Sequence, residues 1–200
     1  MKPNESTPIR VTTPEAILSY PALFEARKVN RDNPAEKAKY SAAFIFLEGT
    51  DLTKLKEAAV EAGQRKWPNG KFEELLKADR LRLPFRTDAL EKGYPAGSTF
   101  INARSDSKPG LVMPYKDQAT GKPAAVTDPE IMYPGCKVRA SLVAFAYDTM
   151  GNMGVSFALG NVQWLSDGDR LDSKVAAADD FDAVEGAEDG TVPDSIASLL

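Results

Sequence analysis

The 200-residue chain contains no histidine and a single cysteine, Cys136. These absences exclude Ser-His-Asp and Cys-His catalysis, zinc sites built from Cys and His, and an internal disulfide framework. A lone cysteine also suits a reducing cytosol. Only carboxylate-bound Mg²⁺ stays open as a metal site. We therefore expect no cofactor and no metal centre.

Long apolar runs and familiar enzyme motifs are also missing. No segment approaches the roughly 20 apolar residues that span a bilayer, and residues 1–16 lack the apolar core of a secretory signal. The chain has no P-loop and no nucleophile elbow. Asp106, Asp117 and Asp128 are dispersed in predicted loops. We predict that the protein is not an enzyme, and the enzyme alternative is a carboxylate-metal nuclease.

Negative charge is concentrated at the C-terminal end. Residues 175–200 hold seven acidic residues and no Lys or Arg, whereas the first 174 residues hold all 25 Lys and Arg and the other 22 Asp and Glu. The body is therefore +3 and the tail −7. This division favours a protein that handles a polyanion, with a tail that occupies the basic groove or recruits basic partners. The alternative is that the tail only aids solubility.

One segment has the pattern of a well-defined helix, from Asp51 to Trp67. Thr50 or Asp51 can cap it, Glu61 and Arg65 can pair along it, and 68–70 (Pro-Asn-Gly) ends it. Its apolar stripe consists of Leu52, Leu55, Ala59 and Ala62. A second, short helix is predicted from Lys71 to Lys77.

The remaining periodic segments predict strands. The clearest is Cys136 to Tyr147, whose even-numbered residues face one way and odd-numbered residues the other. A turn at 148–152 and a returning strand from Gly154 to Trp164 complete a hairpin, with a bulge expected at Gly160. Further strands are predicted at 16–20 (ended by Pro21), 39–47, 79–83, 98–103 and 111–113, with long loops in 105–135.

These elements predict a mainly β fold with one or two helices. Because strands do not alternate regularly with helices, a small antiparallel barrel fits better than a parallel sheet. We expect an OB-fold five-stranded antiparallel barrel, whose sheet face and loops bind oligonucleotides. The predicted organisation is a flexible arm over 1–14, the OB domain over 15–172 and a disordered acidic tail over 173–200.

Basic and aromatic side chains share the outer face of the 136–147 strand. Lys137 and Arg139 can contact phosphates, and Phe145 and Tyr147 can stack on bases. Alternatively Phe145 belongs to the core. Tyr94 lies in a Tyr-Pro turn, as does Tyr133, and such tyrosines either clamp bases or anchor their loops. The other predicted phosphate contacts, which could instead be an ordinary solvated edge, are Arg80, Arg82, Arg86, Arg104 and Lys108.

Several segments, taken in order over residues 15–172, resemble the OB-fold single-stranded DNA-binding proteins of tailed bacteriophages and prophages. This family was long catalogued as a domain of unknown function and shares its plan with the T7-type binding protein. The segments are Leu18 to Glu25, Lys39 to Phe44, Asp51 to Trp67, Gly93 to Arg104, Tyr133 to Ala140 and Gly154 to Gln163.

The resemblance implies a barrel that coats single-stranded DNA in phage replication, recombination and repair, in the cytoplasm of the bacterial host. It implies an acidic tail that competes with DNA for the groove and contacts replication proteins such as a polymerase, helicase or recombinase. The chain could also form a homo-oligomer. This tail ends in apolar residues and its one aromatic is Phe181. We expect the partner contacts at Asp179, Asp180, Phe181, Asp182, Leu199 and Leu200.

The main alternative from another class is a phage structural or assembly protein with a regulatory acidic tail. The composition of a β-barrel with an acidic appendage fits an assembly protein as well as it fits a DNA-binding protein. Salt-dependent retention on single-stranded DNA separates the two hypotheses. Stacking and phosphate contacts serve RNA as well as DNA, so the sequence pattern is compatible with both.

Overall fold

A computed structural model of the protein describes residues 7–28 and 35–172. Within these ranges the chain is mainly β with two α-helices, as predicted. Two short 3-10 helices, Leu90–Lys92 and Pro129–Met132, lie in the loops. The main elements are β1 (Ile9–Thr12), β2 (Ala16–Arg27), β3 (Lys39–Phe46), α1 (Thr53–Lys66), α2 (Lys71–Lys77), β4 (Thr99–Ser105), β5 (Leu111–Lys116), β6 (Pro123–Ala125), β7 (Lys137–Thr149) and β8 (Asn152–Ser166).

Five strands close into a barrel in the order β2-β3-β4-β8-β7 and back to β2. Four of the five seams are antiparallel. The fifth is parallel and joins β4 to β8, where Ala103 pairs with Phe157 and Arg104 with Ala158. The predicted five-stranded barrel is therefore antiparallel except at this seam. Strands β1, β5 and β6 extend the sheet beyond the barrel.

The β7–β8 hairpin agrees closely with the predicted alternation. Cys136 and the inward residues of β7 from Val138 to Ala144 are buried. Leu142 pairs with Leu159 and Ala140 with Val162, so one residue of β7 faces two of β8. This is the bulge expected at Gly160. The turn is made by Met150 and Gly151, both at positive φ, as a tight hairpin requires.

Three predicted boundaries are wrong. Strand β2 does not end at Pro21 but continues to Arg27, because the pairing with β3 shifts register between Ser19 and Ala22 and so accommodates the proline. Residues 9–12 are not a loose arm, since β1 pairs with β7. Residues 79–83 form only an isolated bridge, from Arg82 to Gly154, because Asp79 takes a positive φ and Pro84 follows.

Helix α1 covers the barrel beside β1 and β7. Leu52 occupies its N-cap position, while the Asp51 Oδ1 atom accepts a hydrogen bond from the Thr53 amide at 2.9 Å. Hydrogen bonds from Thr53 hold the pKa of the Asp51 carboxyl below its usual value. The predicted Glu61–Arg65 ion pair is present. No helix among the described residues is long and apolar enough to cross a bilayer.

The barrel interior forms one apolar core. Phe44, Phe46 and Phe157 fill it, together with aliphatic residues of β2, β4 and β7 and the buried face of α1. A smaller cluster lies outside the barrel wall, against Ile45 and Phe100. The predicted tail contacts Asp179, Asp180, Phe181, Asp182, Leu199 and Leu200 lie outside the described residues.

Candidate nucleic-acid interface

A groove of about 850 Å³ runs along the outer face of β2, β3 and β4. Its floor comes from these three strands, and its wall comes from two loops. Residues from the 3-10 helix at Pro129–Met132 and the turn after it form part of the wall. The rest comes from Arg170 and Asp172, which follow β8.

The floor of the groove consists of small and polar side chains. Inward-facing Ala42 and Ala103 belong to the barrel core, so the alternating residues of β3 and β4 face outward. In register, Ala43 lies opposite Asn102, and Ser41 opposite Arg104. The groove is therefore shallow and open along β3 and carries polar groups on β4.

The other half of the same sheet face is closed by the loop between the helices and β4. Tyr94 packs edge-on against Phe100, with ring centroids 5.2 Å apart, beside Ile45 and Ala89. The Tyr94 hydroxyl donates a hydrogen bond to the Ser19 Oγ atom at 3.0 Å. Burial raises the pKa of Tyr94. Tyr94 is only 6% exposed, so its ring is closed to a base, and the prediction that it stacks is corrected to loop anchoring.

A strained tyrosine lies at the border between the closed and open halves. Tyr20 has φ +44° and sits in the irregularity of β2 between Ser19 and Ala22. Its side chain is 73% exposed and lines the groove. The strand predicted over 16–20 gives Tyr20 no functional role, although Tyr20-Pro21 repeats the Tyr-Pro pattern of Tyr94 and Tyr133.

The groove lining carries four cations against three carboxylates, a net excess of one positive charge. Arg27 and Arg104 are exposed, and neither takes part in an ion pair within 7–28 and 35–172. Lys28 lines the groove beside Arg27, and Glu25 is the acidic residue on the same strand. Arg104 is the predicted phosphate contact that the structure places in this groove.

The wall formed by the residues after β8 is tied to the turn at Tyr133. The Arg170 guanidinium lies 4.5 Å from the centre of the Tyr133 ring. It also lies 3.7 Å from Glu130 and 3.9 Å from Asp172. The Tyr133 hydroxyl is 3.1 Å from Asp167 and 3.0 Å from the Gly168 carbonyl, and desolvation raises the pKa of Tyr133. Arg170 is thus already engaged.

The predicted residues of the β7 outer face lie outside the groove lining. Lys137 pairs with Glu15 at 3.5 Å, and the Arg139 Nε atom donates to the Gln163 side chain at 2.6 Å. Phe145 is 42% exposed and forms a tilted pair with Tyr147, with ring centroids 6.4 Å apart. These rings stand on β7 near its turn into β8, and Phe145 is not a core residue.

The other predicted cations fall at three places. Arg86 binds Asp88 through two hydrogen bonds, of 3.0 and 2.7 Å, which raise the pKa of Arg86, and it lies over Phe100. Arg80 and Arg82 border a small concavity at the β7–β8 turn. Lys108 is exposed after β4. The predicted residues thus do not form one cluster.

No cluster of three or more acidic, Cys or His side chains suited to hold a metal ion occurs in the described part of the chain. The cysteine Cys136 is buried, and burial raises the pKa of its thiol to about 12.

The family model described as "Enterobacter phage Enc34, ssDNA-binding protein" matches residues 9–192. No curated protein matches the chain by sequence. Among solved structures, the single-stranded DNA-binding protein from bacteriophage Enc34 has a TM-score of 0.59 at 16% identity, over 86% of this chain and 90% of that one.

The structure of the Enc34 protein in complex with ssDNA matches equally well, with a TM-score of 0.59 at 16% identity over 82% of this chain and 89% of that one. Gp2.5, a single-stranded DNA-binding protein encoded by bacteriophage T7, has a TM-score of 0.55 at 13% identity, over 84% of this chain and 97% of that one. At these identities the likeness establishes a shared fold.

Proposed function

The chain belongs to the family of the Enterobacter phage Enc34 ssDNA-binding protein, and on that premise we propose that it coats single-stranded DNA without sequence preference. Its role would lie in phage DNA replication, recombination and repair, in the cytoplasm of the bacterial host. The observation that carries the proposal is the groove on β2, β3 and β4, which combines unpaired cations with an exposed aromatic ring.

Single-stranded DNA needs both kinds of group. Cations follow the phosphate backbone, and aromatic faces hold unstacked bases without reading their edges. Arg27 on β2 and Arg104 on β4 flank the central groove strand β3. Both are exposed and have no acidic partner among the described residues. In OB barrels this sheet face is the one that binds oligonucleotides. Coating a strand breaks no bond, so the proposed function requires no catalysis.

We propose a second, more peripheral contact at the β7–β8 turn. Phe145 and Tyr147 stand there as a pair, and Arg80 and Arg82 border the same turn. We propose that Lys137, Arg139 and Arg86 contact phosphates more weakly, since each already has a protein partner. We propose a weak phosphate contact for Lys108 as well.

We also propose that the acidic tail regulates the groove. The described chain ends at Asp172, which lines the groove together with Arg170. Residues 175–200, with seven acidic groups, follow this groove residue in the sequence. In this proposal the tail occupies the groove when DNA is absent. When DNA is bound, the tail is released to contact replication proteins.

The test is fluorescence anisotropy with a labelled ~30-nucleotide poly-dT, long enough for one or more OB footprints, and a duplex of equal length. The groove variant is Arg27→Glu/Arg104→Glu. Its matched control, Lys54→Glu/Lys56→Glu, makes the same charge change on α1. We expect preference for the single strand, and loss of about tenfold or more in affinity for the groove variant only. A chain ending at Lys174 should bind more tightly.

Other outcomes would count against each part of the proposal. Equal losses in both double variants would show that net charge acts without the groove. Unchanged affinity after truncation at Lys174 would refute the masking role of the tail. No binding at low salt would favour a phage structural or assembly protein. Mg²⁺-dependent shortening of the labelled strand would favour the nuclease.

A further inference from the structure

We propose that Tyr20 is the base-stacking platform of the groove and that Tyr94 is the residue that positions it. This inference rests on the proposed function, since it names the groups that hold the base. Neither the fold nor the charge of the groove requires an aromatic at this position.

The backbone at Tyr20 is held in a conformation that tyrosine rarely adopts. A φ of +44° places it in the left-handed region, which non-glycine residues seldom occupy. Such strain persists only where the surroundings over-determine it, and it concentrates at functional sites. In a regular strand the residue after Ser19 would point into the barrel. The irregularity of β2 instead sends the ring out into the groove.

The space beside Tyr20 suits a flat ring. Its ring is 73% exposed and lines the groove, whereas Ala43 and Ser41 on β3 are too small to cover it. Arg104 lies beyond Ser41 on β4. A base on the Tyr20 ring would therefore have a cation within reach of its own phosphate, which is the pairing that single strands need.

Tyr94 supports this arrangement from the closed half of the sheet face. Its hydroxyl donates to Ser19 Oγ at 3.0 Å, and both residues are buried. Ser19 is the last regular residue before the irregularity. The hydrogen bond therefore fixes the point from which the chain turns outward. Tyr94 contacts no DNA in this proposal and acts only through Ser19 and Tyr20.

The experiment compares dT and abasic oligonucleotides of equal length at low salt, using the full chain. Tyr20→Ala should weaken dT binding roughly 5- to 150-fold, the range measured for loss of base–aromatic stacking. Binding of the abasic strand, which offers phosphates but no bases, should not change. Tyr20→Phe should keep dT affinity. The control is Tyr115→Ala, which removes a 58% exposed ring on β5, outside the groove, and should change neither.

Tyr94→Phe removes only the hydroxyl and tests the positioning role. We expect it to weaken dT but not abasic binding, and to reduce the further loss caused by Tyr20→Ala, because coupled residues are not additive. Additive losses would refute the coupling. Equal weakening of dT and abasic binding by Tyr20→Ala, or no weakening of either, would overturn the stacking role. If the unaltered chain binds neither strand, the proposed function itself fails.

Discussion

The cations of the groove determine how steeply affinity for single-stranded DNA should fall as salt rises. Neutralising phosphates releases counterions, and the logarithm of affinity falls by about 0.7 for each phosphate per decade of salt. Arg27 and Arg104 have no ion pair within the described residues. If only these two contact phosphates, the slope is about −1.4, and any further contact makes it steeper. Adding Lys28 and Arg170, which also line the groove, gives about −2.8.

These slopes correspond to a loss of about 7-fold to 50-fold in affinity between 50 and 200 mM salt. Arg104→Gln should flatten the slope by about 0.7, because one phosphate contact is lost. Arg170 should contribute less than Arg27, since Glu130 and Asp172 already lie beside it.

The assay is anisotropy of labelled poly-dT at four or more salt concentrations, for the full chain and for chains ending at Lys174. Lys56→Gln on α1 serves as the control and should leave the slope unchanged. A slope near zero would refute the reasoning from phosphate contacts. The same slope for Arg104→Gln and the unaltered chain would show that DNA does not follow this groove.

Three further predictions concern the scaffold and its titration. Gly135→Ala should destabilise the fold by about 3 kcal/mol and weaken DNA binding. The reason is that φ is +114° at this position and the new Cβ would meet the Asp169 carbonyl oxygen. An unchanged melting temperature would contradict this prediction. Gly63→Ala should cost about 1–3 kcal/mol by overpacking against the Phe72 ring, measured by urea unfolding, with DNA affinity retained in the folded protein. The Cys136 thiol, with its pKa raised to about 12, should resist thiol reagents at pH 8 until the protein unfolds. Because the folded state keeps the neutral thiol, its contribution to the free energy of unfolding should be fully present below the unfolded pKa of about 8.5. That contribution should be lost as the pH rises from there to about 12. Fast labelling of the native protein at about pH 8 would contradict the burial of the thiol.

Strand periodicity was sufficient to predict much of the barrel. The alternation of β7 identified its buried face, and Gly160 marked the bulge on β8. Both features depend on local pattern. The parallel β4–β8 seam depends on which strands meet in space, and no local pattern carries that information.

The candidate site was harder to predict for the same reason. Cations beside aromatics on β7 looked like a nucleic-acid surface, but Lys137 and Arg139 pair with Glu15 and Gln163, the first of which is distant in sequence. Tyr20 was passed over because Pro21 reads as the end of a strand. In the structure the strand absorbs the proline by a shift in register, and that shift exposes the ring.

The pairing of β1 with β7 has a consequence for how the chain folds. Ile9 lies opposite Ala144 and Thr12 opposite Ser141, and β2 also needs β7 to close the barrel. At about 5–20 residues per second, the ribosome delivers β7 roughly 6 to 26 seconds after β1. Until then β2, β3 and β4 lack the strands that cover their apolar side. Contacts of such long sequence separation make folding slow. The groove strands are therefore synthesised first but gain a stable barrel only when β7 and β8 have been made.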